Sequence, residues 1–106
     1  MTTNSNSATD EICPAHALLK TFSGKWKPEL FRSAVSAPLR FNSLLKQLPG
    51  ANKQSLSVAL KELEEAGILS KLTVKLKPLH IEYHLTDKGQ QLIPIFEQLE
   101  LLQHKR

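Results

Sequence analysis

Three groups of side chains in this sequence could do chemistry. The run N-K-Q-S-L-S-V-A-L-K-E-L-E-E-A from Asn52 to Ala66 places Gln54, Ser57, Val58 and Lys61 at spacings that share one side of a helix. An amide, a hydroxyl, a small apolar group and an ammonium are the kinds of group that address base edges in a major groove. Cys13 is the single thiol. His80, Glu82 and His84 alternate, so on a strand they share one face, and two imidazoles with a carboxylate are plausible ligands of a divalent metal. No fourth ligand accompanies them, and a solvated strand face carries such residues equally well, so no metal and no other cofactor is expected. Glycine-rich phosphate loops, nucleophile elbows and framed acid pairs are all missing, and the chain is not expected to be an enzyme.

The elements that must position these groups can be read from local signals. Asn52 is a good N-cap and Gly67 falls where a left-handed residue ends a helix, so Asn52 to Ala66 is expected to be helical. Leu56, Ala59, Leu60 and Leu63 form its apolar stripe, and Gln54, Ser57, Val58 and Lys61 face outward. Glu62, Glu64 and Glu65 crowd its far end, so only the first half could approach a polyanion. Taken alone, the segment reads equally well as an ordinary surface helix. Composition favours the polyanion. The 106 residues carry a net charge of +4, and 41% are hydrophobic, enough for one domain with a real core. Residues 14 to 85 hold 11 Lys/Arg against 5 acids, which fits nucleic acid better than an acidic protein or a membrane. A lone cysteine rules out an internal disulfide. No apolar run reaches membrane-spanning length, and a cytoplasmic protein is expected.

Residues 1–11 are Ser/Thr/Asn-rich and read as a disordered or loosely ordered tail, with residues 12–106 forming the domain. Pro14 favours the first helical position, making Cys13 the N-cap of a helix that runs to Phe22 with Leu18, Leu19 and Phe22 inward. A second helix is expected from Pro28 to Val35. Trp26, Leu30, Phe31 and Ala34 recur at helical spacing there, and the Trp is better read as core filling than as a ligand platform. Leu39 to Phe41 is a short extended piece, Asn42 caps a third helix bearing Leu44, Leu45 and Leu48, and Pro49-Gly50-Ala51 leads tightly into the Asn52 helix. Two short helices so joined have the organisation of a helix-turn-helix. Next, Leu72, Val74 and Leu76 alternate with Lys71, Thr73 and Lys75, and after a turn at Lys77-Pro78-Leu79 the same period returns in Ile81, Tyr83 and Leu85. A hairpin with lysines here is a wing. Finally, Thr86 caps a helix to about Gln103, kinked at Pro94. Its apolar surface is wider than one buried face needs. Leu92, Ile95, Phe96, Leu99 and Leu102, with Leu18 of the first helix, are expected to meet a second copy, placing two recognition helices roughly 34–36 Å apart. The alternative cover is the chain's own first helix.

The expected fold class is therefore mainly α with a small β-hairpin (α+β): a winged helix-turn-helix with an additional C-terminal dimerisation helix. Cys13-Pro14, Gly24-Lys25-Trp26-Lys27, Leu39-Arg40-Phe41-Asn42, Leu48-Pro49-Gly50, Leu56-Ser57, Leu60-Lys61-Glu62-Leu63-Glu64, Ile81-Glu82-Tyr83 and Leu85-Thr86-Asp87-Lys88-Gly89 occur in this order. Together they resemble the HxlR-type winged helix-turn-helix transcriptional regulators, over about residues 12 to 100. Ala37, Ser43, Leu45 and Ala51 depart from the family's usual pattern. The resemblance implies a homodimer on a pseudo-palindromic operator, and a thiol-reactive cysteine near the first helix, as in a number of members. Cys13 fits that role. From the residues alone it could also be a small buried side chain, since Asp10 and Glu11 oppose its ionisation while a helix N-terminus would favour it. Double-stranded DNA and a second copy are the expected partners, without a membrane, and a small-molecule inducer or an electrophile is compatible with the frame. The DNA-contact candidates are Lys53, Gln54, Ser55, Ser57, Val58 and Lys61 on the helix, and Lys75, Lys77 and His80 on the wing. The competing reading is a winged-helix module that docks on a protein and does not bind DNA.

Overall fold

The computed structural model describes residues 13–104. The expected tail, residues 1–11, lies outside them. Eight elements follow in order: α1 (His16–Thr21), α2 (Lys27–Ser36), α3 (Phe41–Gln47), α4 (Lys53–Glu65), β1 (Leu69–Leu76), β2 (Leu79–Leu85), α5 (Asp87–Gln91) and α6 (Ile93–His104).

The best-defined helix is α4. Asn52 and Ser55 form a reciprocal capping box: the Asn52 side-chain oxygen accepts from Ser55 N–H at 2.8 Å, and Ser55 Oγ accepts from Asn52 N–H at 3.2 Å. At the other end Gly67 has φ +81°, with Ile68 N–H donating to Leu63 O and Gly67 N–H to Glu64 O. That double return is a Schellman stop, which a left-handed glycine makes cheap. Leu56, Ala59, Leu60 and Leu63 are buried as the stripe required. They join Leu30, Phe31, Ala34, Leu39, Leu44, Ile68, Leu69 and Leu92 in one core.

Several boundaries differ from expectation, each for a local reason. Cys13 is not a helix cap. Its carbonyl accepts from His16 N–H in a preceding turn, and the short α1 starts after Ala15. Leu19 faces outward, whereas Leu18 and Phe22 pack on the core. Asn42 lies inside α3 rather than capping it, because Arg40 already holds the extended N-cap conformation. The last segment is two helices rather than one kinked helix: the chain breaks at Leu92, and Pro94 sits in the first turn of α6, where its missing N–H costs nothing.

β1 and β2 form an antiparallel two-stranded sheet, extended by a single bridge between Leu39 and Tyr83. The alternation expected for β1 is interrupted. Val74 has no partner across the hairpin, so Lys75 pairs with His80 and Leu76 with Leu79. A bulge of this kind moves the following side chains to the opposite face. Lys75 consequently joins Leu72, His80, Glu82 and His84, while Leu76 and Leu79 join Thr73 and Ile81. Beyond Leu69 all of β1 is exposed, so the expected apolar strand face is not a buried one.

Candidate nucleic-acid interface

The site is assembled on α4 and the hairpin. Gln54, Ser57, Val58 and Lys61 are exposed along α4, turned away from its buried leucines, and Lys53 is exposed as its first residue. Ser55 has a different duty: its hydroxyl also donates to Asn52 O at 3.1 Å, so it is committed to the cap. Lys71, Lys75 and Lys77 are exposed on the hairpin. Among the described residues, none of Lys53, Lys61, Lys71, Lys75 and Lys77 has an acidic partner within ion-pair distance. An array of cations left without counter-charges is what a phosphate backbone can use. His80 is half-buried and is not free in the same sense. Its Nε2 lies 3.1 Å from Glu82 Oε2, and His84 Nε2 lies 2.9 Å from Glu82 Oε1, so each imidazole occupies one oxygen of the same carboxylate.

The orientation of α4 is fixed by contacts that no local pattern displays. Lys27 is buried at the start of α2, and its Nζ donates to Glu62 Oε1 at 2.5 Å, across 35 residues of chain. This tie neutralises one of the three glutamates at the acidic end of α4. The Lys27 stem also lies over Gly24, where an added Cβ would fall 2.5 Å from Lys27 Cε. Between them Trp26 takes φ +74°, a conformation costing about 1–3 kcal/mol for a non-glycine residue, offset here by packing against the core. The Gly24-Lys25-Trp26-Lys27 run is thus a clamp on the recognition helix.

A second clamp holds the same, C-terminal end of α4. Lys88 Nζ donates to Ala66 O at 2.9 Å, adding a cation where the helix dipole is negative. The Thr86 hydroxyl donates to Gly67 O and accepts from Gly89 N–H at 3.0 Å, capping α5 in the same stroke. Gly89 is buried so close to Ile68 O that a Cβ would lie 2.5 Å from it. Thr86-Asp87-Lys88-Gly89 therefore reads as structural chemistry. Tyr83 lies between this region and Leu39, and burial, with Glu64 as the smaller cause, pushes its hydroxyl above the ordinary tyrosine range.

The six residues expected at a subunit interface separate into two sets. Leu18, Leu92 and Phe96 are used within the protomer, where Phe96 packs against Phe31 at 4.5 Å and Phe22 at 5.1 Å between ring centroids. Ile95, Leu99 and Leu102 remain exposed on α6, the latter two at 54% and 68%, together with Leu101. An ion pair between Arg32 and Glu100 fastens α6 to α2. Cys13 is exposed and unpaired.

Comparison with known proteins agrees with this architecture. The family described as HxlR-like helix-turn-helix matches residues 21–105. The Halalkalibacterium halodurans HTH-type transcriptional regulator BH0655 is 38% identical over 82 residues, spanning 76% of this chain and 73% of that protein. The Bacillus subtilis HTH-type transcriptional regulator YybR is 34% identical over 90 residues, spanning 85% and 72%. Among solved structures, the redox regulator HypR in its oxidised form superimposes with a TM-score of 0.78 at 32% identity, covering 89% of this chain and 97% of that one. The capped helix, its short partner α3 and the adjoining hairpin are thus the winged helix-turn-helix of a transcriptional regulator, and the chain belongs to the HxlR-like helix-turn-helix family.

Proposed function

We propose that the protein is a sequence-specific, DNA-binding regulator that acts as a homodimer on a pseudo-palindromic operator. The observation that carries this reading is the exposed N-terminal half of α4, a helix fastened by two ties at its C-terminal end and flanked by a hairpin whose lysines have no acidic partners among the described residues. Gln54, Ser57 and Val58 address base edges, Lys61 a base edge or nearby phosphate, Lys53 the phosphate beside the start of α4, and Lys75 and Lys77 the backbone beneath the wing. His80 joins the wing contact through its free ring edge. Ile95, Leu99 and Leu102 supply the surface for a second copy, which explains an apolar α6 left open to solvent. Cys13 is exposed at the edge of α1, and one similar protein is named a redox regulator, so thiol modification there is proposed as the signal.

Binding of labelled duplex DNA across a salt series tests the reading. Log K falls steeply with log salt, and Lys75→Ala lowers that slope by about one for every sequence. Weak, salt-insensitive binding would favour a protein-docking module instead. Diamide alters binding by the wild type and leaves Cys13→Ser unaffected; an equal response from both removes Cys13 from the mechanism.

A further inference from the structure

The bulge at Val74 has sorted the wing into two chemically different faces. One carries Lys75, paired with His80. The other carries Leu76 and Leu79, which face each other beside the Lys77-Pro78 turn and are 76% and 62% exposed. Two large aliphatic side chains at a hairpin tip, covered by nothing among the described residues, are a costly surface to leave in water. Lysines surround them: Lys77 in the turn itself, Lys75 on the adjoining strand position and Lys71 further back. An occupant must therefore present apolar walls within a strongly anionic frame. A duplex minor groove meets both, with deoxyribose walls and a phosphate rim, whereas an apolar protein groove meets the second only if acidic side chains ring it.

We propose that Leu76 and Leu79 form an apolar wedge that enters the DNA minor groove, pressing on the sugars and base edges and opening the stack, while Lys75 and Lys77 hold the flanking phosphates. The inference rests on the DNA-binding reading above and specifies how its wing works. A wedge of this kind bends the duplex away from itself, and its preference is for a groove without the guanine amino group. The wing then contributes shape and deformability readout, where α4 contributes direct readout.

The test uses the full chain and a short A·T-rich duplex labelled at both ends, so that energy transfer reports bending and anisotropy reports affinity. A matched duplex has 2,6-diaminopurine in place of adenine, which puts an amino group into the minor groove and leaves the major groove unchanged. The wild type bends the first duplex and binds the second several-fold more weakly. Leu76→Ser with Leu79→Ser, both at solvent-exposed positions, abolishes bending, weakens binding about tenfold and no longer distinguishes the two duplexes, with an unchanged salt slope. Lys75→Ala with Lys77→Ala does the reverse, lowering the slope by about two. Bending and affinity retained by the double Ser variant overturn the wedge. So does wild-type indifference to diaminopurine, or a change in sedimentation caused by the Ser substitutions, which would assign the leucines to a protein contact. If the wild type binds neither duplex at low salt, the DNA-binding reading itself fails, an outcome separate from the preceding three.

Discussion

Removing Glu62 should harm the fold more than removing Lys27, although the two residues share one ion pair. The asymmetry comes from burial: the Lys27 side chain is 11% exposed and that of Glu62 48%. In Lys27→Met the stem still fills the space above Gly24, and the abandoned carboxylate turns to water, so the cost is about 1 kcal/mol or less. In Glu62→Ala the ammonium stays in a largely dry site without its acceptor, a cost of about 1–3 kcal/mol. Urea unfolding followed by the fluorescence of Trp26, the single tryptophan, reads the difference at fixed protein concentration, as the proposed dimer would require. With a slope of about 1–3 kcal/mol per molar, Glu62→Ala moves the midpoint down by about a molar and Lys27→Met by well under half that. The double variant returns to the Lys27→Met value. Equal losses from the two single changes, or a larger loss from Lys27→Met, would refute the burial argument.

Gly89→Ala is expected to lower stability by about 1–3 kcal/mol in thermal melts, because the new methyl meets Ile68 O and overrides the helical preference of alanine; a rise in stability would show that α5 can move away. Leu99→Glu with Leu102→Glu should yield folded monomers by sedimentation, whereas Phe96→Glu should unfold the protomer, since Phe96 stacks on Phe22 and Phe31. A dimer that survives both α6 substitutions places the subunit contact elsewhere. Tyr83, the single tyrosine, should titrate above the ordinary tyrosine range in ultraviolet difference absorbance. Because its folded value is raised, the corresponding stability is complete below the unfolded tyrosine value and is lost as pH rises through the folded one. Tyr83→Phe should remove that alkaline loss, and an ordinary titration would contradict the burial assigned to the side chain.

How far the structure could be read from sequence depended on the range of the interaction concerned. Asn52, Gly67 and Thr86 were legible because a cap is decided within a few residues. The stripe Leu56, Ala59, Leu60 and Leu63 was legible because helical period and burial agree. Cys13 and Asn42 misled as caps, since each lies within one turn of a true helix start and the choice is made by the packing of neighbours such as Phe41. In the hairpin, strand period found both strands, while the unpaired Val74 reversed the faces beyond it, and one extra residue leaves no mark in composition. The Lys27 to Glu62 tie is invisible locally because its partners are 35 residues apart. Gly24 and Gly89 were quoted in motifs, yet the reason for each appears only in the folded chain, where the Lys27 stem bends back over Gly24 and the distant Ile68 carbonyl occupies the space of the Cβ that Gly89 lacks.

The central claim is that the outward face of α4 reads sequence, and Gln54 is the residue to test. Duplexes selected from a random pool by the wild-type protein provide a preferred site, and an unselected pool provides the reference. Gln54→Ala should lose about 1–3 kcal/mol on the preferred site and almost nothing on the reference, as expected when an amide that bonds to a base edge is removed. An equal loss on both would make Gln54 a backbone contact, and no loss on either would contradict the placement of α4 in the groove.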